Sequence, residues 1–360
     1  MKKILGRLYH ALVYRYSLLR PLHYLFRSRK RKPIRLPEAD GFLREQDVQW
    51  WYWTGHLESE TGRKYGFEIV FFAFNSWIFF KNQLAQAAIT DISEASFQYR
   101  EEVEFCSLPK RLAGRFAMQA EEDGRAVIVA NGGGGRDRLS CEVGKYELQL
   151  QLTDRKQPVM HYGGEAHDYS FGGYTYYYAR ERMQVQGTIR IDGQEYAVTG
   201  ESWFDRQYGD LYESIFKGWQ WFALSLNDGR AIMLYDFLGT AYQQERIGSI
   251  TSLQATQELG MNDFFVTILD SWQCPESRIR FPARWRLNVK GEIFSVTPLV
   301  QDQSLLARHG WWIGPEYWEG ACSVTNADGS LVGQAYVELN GFGHKLISLD
   351  LEGENLDFAI

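Results

Sequence analysis

The sequence predicts an all-β protein of two related β-barrel domains, preceded by a short basic helix. The chain has 360 residues, more than the roughly 100–200 typical of one domain. Aromatic residues make up 15% of the chain, and aromatic side chains favour half-buried strand surfaces and apolar pockets. From residue 50 onward, alternating segments joined by turn residues recur. Together these features predict two aromatic-rich barrels packed together.

The N-terminal arm, residues 1–37, contains eleven Lys/Arg and no Asp/Glu. Residues 3–26 place apolar side chains at helical spacing until Pro21, and a polybasic run follows at residues 27–32. This pattern predicts an amphipathic helix and an extended linker. One interpretation is a peripheral anchor of residues 1–32 on an anionic membrane surface. The alternative is a helix that packs on the protein's own body.

Four later segments resemble one another, because each is an alternating strand that leads into a glycine-containing turn. The turns lie at Thr61-Gly62, Asp192-Gly193, Asp228-Gly229 and Asp328-Gly329. Asp-Gly between alternating strands is a strong hairpin signal. The first and third segments also share Trp-x-Trp and a Gly-Arg turn, which indicates an internal duplication. We therefore expect an N-terminal domain at residues 38–185 and a C-terminal domain at residues 186–360.

Several function classes are disfavoured by composition and motifs. The excess of basic over acidic residues is confined to the arm, so nucleic acid is not an expected partner. The four cysteines lack metal or redox spacing, and Gly132–Gly135 lacks the residues of a phosphate-binding loop. We expect neither a metal nor a cofactor. No long apolar segment or signal-peptide pattern is present, so a cytoplasmic location is expected, peripheral at the inner membrane surface if the arm is an anchor.

The densest group of chemically capable residues is Gly200–Gly209. On a strand, Trp203, Asp205 and Gln207 share one face, and Arg206 points to the other. Aromatic surroundings raise the pKa of a carboxyl group by desolvation, so Asp205 could remain protonated and deliver a proton to an unactivated alkene. The alternatives are that Asp205 pairs with Arg206 or Arg63, or that it caps a turn.

Other aromatic strands supply candidate walls for a pocket. On the segment Trp50–Trp53, Trp51 and Trp53 share one face, and structural packing is the alternative to ligand contact. Glu319 and Glu338 lie in aromatic strands, where a carboxylate either pairs with an arginine or faces the cavity, and we favour pairing. The candidate substrate-binding residues are Trp51, Trp53, Glu68, Tyr174, Tyr178, Gln207, Trp219, Trp221 and Tyr235.

Seven motifs in order resemble the lipocalin-like family of carotenoid 1,2-hydratase (hydroxyneurosporene synthase) and AttH. They are Gln49–His56, Lys64–Phe72, Tyr174–Arg180, Gly200–Gly209, Gly218–Phe222, Tyr317–Gly320 and Ala335–Leu339. The resemblance implies two lipocalin or calycin-like β domains with a ligand cleft between or within them. It also implies hydration of a terminal isoprenoid double bond or an intramolecular cyclisation. The essential aromatic-x-Asp step of the hydratases corresponds to Trp203 and Asp205, with Trp203 where a Tyr is typical.

The sequence thus favours acid-assisted hydration or cyclisation of a large apolar alkene that is carotenoid, terpenoid or polyketide-like. Asp205 is the expected acid, with Trp203 and Tyr176 as the wall that stabilises a cation. Gln207 or Tyr178 is the expected water holder. Two alternatives remain open: a carrier of hydrophobic ligands without chemistry, and a pericyclic cyclase that only folds its substrate.

Overall fold

The computed structural model describes residues 31–76, 80–210, 218–238, 245–306 and 317–342. Over these ranges the chain is almost entirely β-structure, in two antiparallel sheets that form a near-barrel and a half-barrel. The predicted all-β, two-barrel fold class is confirmed. The predicted N-terminal helix lies outside the described residues. Nowhere in the described ranges is there a helix with the length and apolar character that crossing a membrane requires.

The first sheet, the near-barrel, comprises twelve strands in the order β4-β3-β2-β1-β12-β11-β8-β7-β6-β5, with β9 and β10 paired to β11. The strands are β1 (Val48–Ser59), β2 (Lys64–Ser76), β3 (Phe80–Asp91), β4 (Ser96–Phe105), β5 (Phe116–Glu122), β6 (Arg125–Gly132), β7 (Arg136–Val143), β8 (Tyr146–Thr153), β9 (Val159–Met160), β10 (His167–Asp168), β11 (Tyr174–Ile191) and β12 (Gln194–Asp210). Short 3₁₀ helices lie at Glu38–Asp40 and His161–Gly164.

The second sheet, the half-barrel, has the order β16-β15-β14-β13-β22-β21-β19-β18-β17, with β20 paired to β21. Its strands are β13 (Trp219–Leu226), β14 (Ala231–Phe237), β15 (Glu245–Thr251), β16 (Thr256–Leu259), β17 (Phe264–Gln273), β18 (Arg280–Val289), β19 (Glu292–Pro298), β20 (Ser304–Leu305), β21 (Tyr317–Asn326) and β22 (Leu331–Asn340). In both sheets the first strand pairs with the second and with the last, as the predicted duplication requires.

The chain passes from one sheet to the other between Asp210 and Trp219. This is later than the division at residue 186 expected from the sequence. The reason is that the hairpin at Asp192-Gly193 joins β11 and β12 within the first sheet, and β12 then pairs with β1 along its length. The φ angles of Asp192 and Gly193 are 50° and 86°, the two positive values that this type of tight hairpin turn needs.

The strands at the centre of the first sheet are buried on both faces. One face of β1 and β12 lines the near-barrel interior, where Trp51, Trp53 and Phe204 pack together. The opposite face carries Tyr52 and Trp203, which pack with aromatic side chains of β13 and β14. Because neither face is exposed there, the β1 segment Trp50–Trp53 is a continuous aromatic run. The interface between the sheets is therefore a second core of the molecule.

Candidate functional site

Two rows of side chains face each other across the interface between the sheets. In the first sheet, register places Gln86, Val70, Tyr52 and Asp205 side by side on β3, β2, β1 and β12. In the second sheet it places Tyr235, Trp221, Glu338 and Glu319 side by side on β14, β13, β22 and β21. Neighbours in register share a face of the sheet. The two rows therefore bring polar side chains from distant parts of the sequence to one place.

A cavity of about 80 Å³ lies between these rows. Its apolar wall includes Trp50, Phe72, Phe74, Trp219 and Trp221. One water molecule needs about 10–15 Å³ on this measure. The cavity therefore has room for several waters or for the compact branched end of an apolar chain.

Asp205 lies in the cavity wall with both carboxyl oxygens hydrogen-bonded. The Tyr177 hydroxyl donates to Oδ2 at 2.6 Å, and the Trp203 indole N–H donates to Oδ1 at 2.7 Å. The Trp221 indole N–H in turn donates to the Tyr177 oxygen at 3.3 Å. Burial raises the pKa of Asp205 to about 8, although the bonds from Tyr177 and Trp203 oppose that shift. Asp205 is therefore mostly protonated at neutral pH.

Arg206 points away from Asp205, as strand alternation predicts. Its guanidinium lies in the near-barrel interior, 3.9 Å from the Trp51 ring centroid, and it donates to the Gly41 carbonyl at 2.9 Å. The Arg63 guanidinium forms an ion pair with the Asp91 carboxylate, with an N–O distance of 2.7 Å. Neither arginine therefore neutralises Asp205.

Three further carboxyl groups lie near the cavity, Glu68 and Glu319 buried and Glu338 half-buried, and none forms an ion pair with an arginine among the described residues. The Tyr52 hydroxyl donates to Glu319 Oε1 across the interface, and Tyr317 donates to Glu68 Oε1 at 3.2 Å. Burial raises the pKa of Glu68 to about 8 and that of Glu338 to about 7, and it raises the pKa of Glu319 well above its usual range. The favoured arginine pairing of Glu319 and Glu338 is thus wrong, and the alternative holds: both side chains face the cavity, because both strands turn them toward the other sheet.

The sequence profile of the AttH-like family matches residues 27–342 of the chain. The chain belongs to the AttH-like family. Two solved structures resemble the AttH-like chain in fold. An AttH protein of Nitrosomonas europaea is 24% identical, with a TM-score of 0.76 over 86% of this chain and 98% of that one. Kievitone hydratase from Nectria haematococca is 15% identical, with a TM-score of 0.68 over 86% and 94%. No curated protein sequence is significantly similar.

Of the residues predicted from the sequence, the AttH-like fold brings several to the cavity: Asp205, Gln207, Trp219, Trp221 and Tyr235 line it. Trp203 contacts Asp205, and Glu68 reaches the cavity wall through Tyr317. The amide nitrogen of Gln207, an expected water holder, already donates to Tyr169 at 3.0 Å and to Thr175 at 2.8 Å.

The fold does not bring Trp51 and Trp53 to the cavity. Their indole N–H groups donate inside the near-barrel, to the Asp40 carbonyl at 2.8 Å and to Asp137 at 3.0 Å. Trp50 and Tyr52 take the cavity face instead. Alternation separates the two pairs correctly, but both faces of β1 are buried, so the sequence contains no polar face that would distinguish them.

The tyrosines of β11 differ from the prediction in the same way: the face opposite to the predicted one is directed toward the cavity. Tyr176 stacks on Tyr208 with ring centroids 5.1 Å apart, and Tyr178 donates to Asp40. Tyr174 lies under Arg31, 4.1 Å from the ring centroid. None of the three lines the cavity. Tyr177 has the position expected of Tyr176, since its register partner is Gln207 and its hydroxyl contacts Asp205.

Sequence reasoning therefore missed Tyr52 and Tyr177, and for Glu319 and Glu338 it favoured arginine pairing over the cavity-facing alternative that the structure has. Alternation relative to Asp205 carries a usable signal for Tyr177, because β11 and β12 form a hairpin whose register follows from the turn. No comparable local signal marks Tyr52, Glu319 or Glu338. Their approach depends on how the two sheets face each other.

Proposed function

We propose that this AttH-like protein is an enzyme that protonates a carbon–carbon double bond of an apolar substrate, with Asp205 as the acid. Water addition or ring closure completes the reaction. The observation that carries the proposal is the Asp205 carboxyl group, which is buried in the wall of an aromatic cavity and forms no ion pair among the described residues. A general acid is effective when it is protonated at the working pH and lies within reach of the reacting atom.

The groups around Asp205 can stabilise both products of the proton transfer, the carboxylate and the carbocation. After the proton leaves, the Tyr177 hydroxyl and the Trp203 indole N–H stabilise the carboxylate that remains. The ring faces of Trp50, Trp219 and Trp221 can stabilise the carbocation, because cation–π attraction is stronger in a desolvated site. The described residues can thus stabilise charge of both signs.

The size of the cavity narrows the substrate class. A volume of about 80 Å³ suits the branched end of an isoprenoid or polyketide-like chain rather than a whole carotenoid. The fold shared with a protein named kievitone hydratase is consistent with hydration. We therefore favour a substrate that places a terminal alkene in the cavity.

The first test of the proposal is turnover in ¹⁸O-labelled water. Purified protein is incubated with squalene, geranylgeraniol or lycopene, and products are analysed by mass spectrometry. We expect one ¹⁸O in a hydrated product, or an unlabelled isomer if ring closure occurs. Asp205→Asn should lower the rate by at least about 100-fold, because it removes the acid. Asp270→Asn, at an exposed position, is the matched control.

The outcome also separates the rival functions. Turnover by Asp205→Asn at the wild-type rate would contradict the acid role and favour a cyclase that only folds its substrate. Stoichiometric binding, seen as tryptophan fluorescence quenching, with no product from any of the three alkenes would favour a carrier.

A further inference from the structure

We propose that Glu338, on the cavity wall opposite Asp205, is a second catalytic residue that holds the attacking water and accepts its proton. The inference rests on the proposed function and extends it to the hydration branch of the reaction. It assigns acid and base to different sheets of the molecule.

The position of Glu338 sets it apart from the other buried carboxyl groups. It lies on β22 between Trp221 and Glu319 in register, and it lines the cavity. Glu319 is fully buried and Asp205 is 5% exposed, whereas Glu338 is only half-buried. Among the described carboxyl groups that line the cavity, Glu338 is therefore the most exposed.

Two neighbouring oxygens lack hydrogen-bond partners among the described residues. They are Glu319 Oε2 and Asn340 Oδ1, whose side chains are 0% and 3% exposed and line the cavity. Asn340 is two residues after Glu338 on β22, so both side chains lie on the same face. A buried water makes about 2–4 hydrogen bonds to polar groups that otherwise lack partners. Glu338, Glu319 and Asn340 together provide such a site.

The charge states of these groups fit different roles. Tyr52 binds Glu319, whose pKa is raised well above the usual range, so Glu319 remains neutral and does not repel a charge on Glu338. Burial raises the pKa of Glu338 only to about 7, because Trp219 and Asn340 lower it in part. The pKa of Glu338 is thus raised less than that of Asp205, to about 7 against about 8, which favours Glu338 as the base and Asp205 as the acid.

The reaction balances with these two residues alone. The Asp205 proton forms the new C–H bond with the alkene π electrons, and the adjacent carbon becomes cationic. The water oxygen forms the C–O bond while its proton passes to Glu338. Asp205 ends ionised and Glu338 ends protonated, and proton exchange with solvent restores both. Because the two residues lie on opposite walls, H and OH add to opposite faces of the double bond.

The first arm of the test uses a stable cation, protonated geranyldimethylamine, which mimics the cationic intermediate on an isoprenoid chain. Binding is measured by tryptophan fluorescence. Glu338→Gln should weaken binding at least about 10-fold, because an ionised partner is lost. Glu319→Gln replaces a neutral group and should change it less than about 3-fold. Glu195→Gln is the exposed control. No binding by wild type, or equal weakening in Glu319→Gln and Glu338→Gln, would overturn the proposal.

The second arm separates protonation from water attack. Geranylgeraniol is incubated in deuterated, ¹⁸O-labelled water. We expect Glu338→Gln to retain deuterium incorporation at carbon but to lose most ¹⁸O incorporation, since the cation then loses a proton instead of gaining water. Equal ¹⁸O incorporation by wild type and Glu338→Gln would overturn the role of Glu338. If wild type incorporates neither isotope while amine binding still depends on Glu338, the proposed function fails and the anionic site remains.

Discussion

Five carboxyl groups that are largely withdrawn from solvent dominate the chemistry of single residues in this protein. Burial raises the pKa of Asp205 and Glu68 to about 8 and that of Glu338 and Asp137 to about 7. Glu319 is shifted further in the same direction. Each of these groups binds a proton more tightly in the folded chain than in the unfolded chain.

This shift predicts that stability falls as the pH rises toward 8. Between about pH 4.5 and pH 7 the five groups are protonated in the folded chain and ionised in the unfolded chain. Unfolding therefore releases a proton from each group, and each released proton lowers the free energy of unfolding by about 1.4 kcal/mol per pH unit. His56 and His161 act in the opposite direction. Burial lowers their pKa values to about 4 and about 3, so they reduce stability only as the pH falls below about 6.5.

The variant Asp205→Asn measures the contribution of Asp205 to the pH dependence of stability. We expect its free energy of unfolding, measured by urea titration between about pH 5.5 and pH 7.5, to depend on pH less steeply than wild type by about one proton. Asp270→Asn should leave the slope unchanged. A wild-type slope in Asp205→Asn would mean that Asp205 is ionised in the folded protein.

At this scale the sequence predicts some contacts and leaves others open, for one physical reason. The period of two along a strand correctly groups Trp203 with Asp205 and separates Arg206 from both. The same period divides Trp50 from Trp51 without saying which of them meets the cavity. When both faces of a strand are buried, hydrophobicity no longer distinguishes them.

Among the strands, β12 is the element on which the site depends most. It pairs with β1 and β11 and carries Asp205 on one face and Arg206 on the other. Its pairing with β1 begins close to Gly200. A Cβ atom at Gly200 would lie 1.9 Å from the His56 carbonyl oxygen, which is backbone and cannot move away cheaply.

Gly200→Ala should therefore destabilise the protein by about 3 kcal/mol, since overpacking forces backbone shifts. Chemical denaturation followed by fluorescence measures the change. Gly260→Ala is the control, because the nearest atom to its Cβ is 3.8 Å away, and it should cost less than about 1 kcal/mol. Equal stability of the two variants would contradict the tight β1–β12 pairing.

Turn chemistry makes the hairpins predictable, and the four predicted turns all join neighbouring strands. The point at which the chain changes sheet is less accessible to sequence reasoning. The pairing of β12 with β1 joins segments about 150 residues apart, and no local signal encodes such a pairing.

At the scale of the whole molecule, the cavity exists because two similar sheets face each other. Hydrogen bonds cross the interface from Tyr52 to Glu319, from Thr90 to Gln303 at 2.7 Å, and from Tyr317 to Gln86 at 2.6 Å. The family resemblance implies a cleft between or within the domains, and the described cavity lies between them. Delivery of a membrane-dissolved substrate by residues 1–32 remains a prediction.

The central claim is that Asp205 is a neutral acid in this cavity at physiological pH. Infrared spectroscopy tests it without any knowledge of the substrate, because protonated and ionised carboxyl groups absorb at different frequencies. Near neutral pH, the difference spectrum of wild type minus Asp205→Asn should contain a protonated-carboxyl band. The difference spectrum of wild type minus Asp270→Asn should lack that band. A difference spectrum that contains an ionised-carboxylate band instead would contradict the claim.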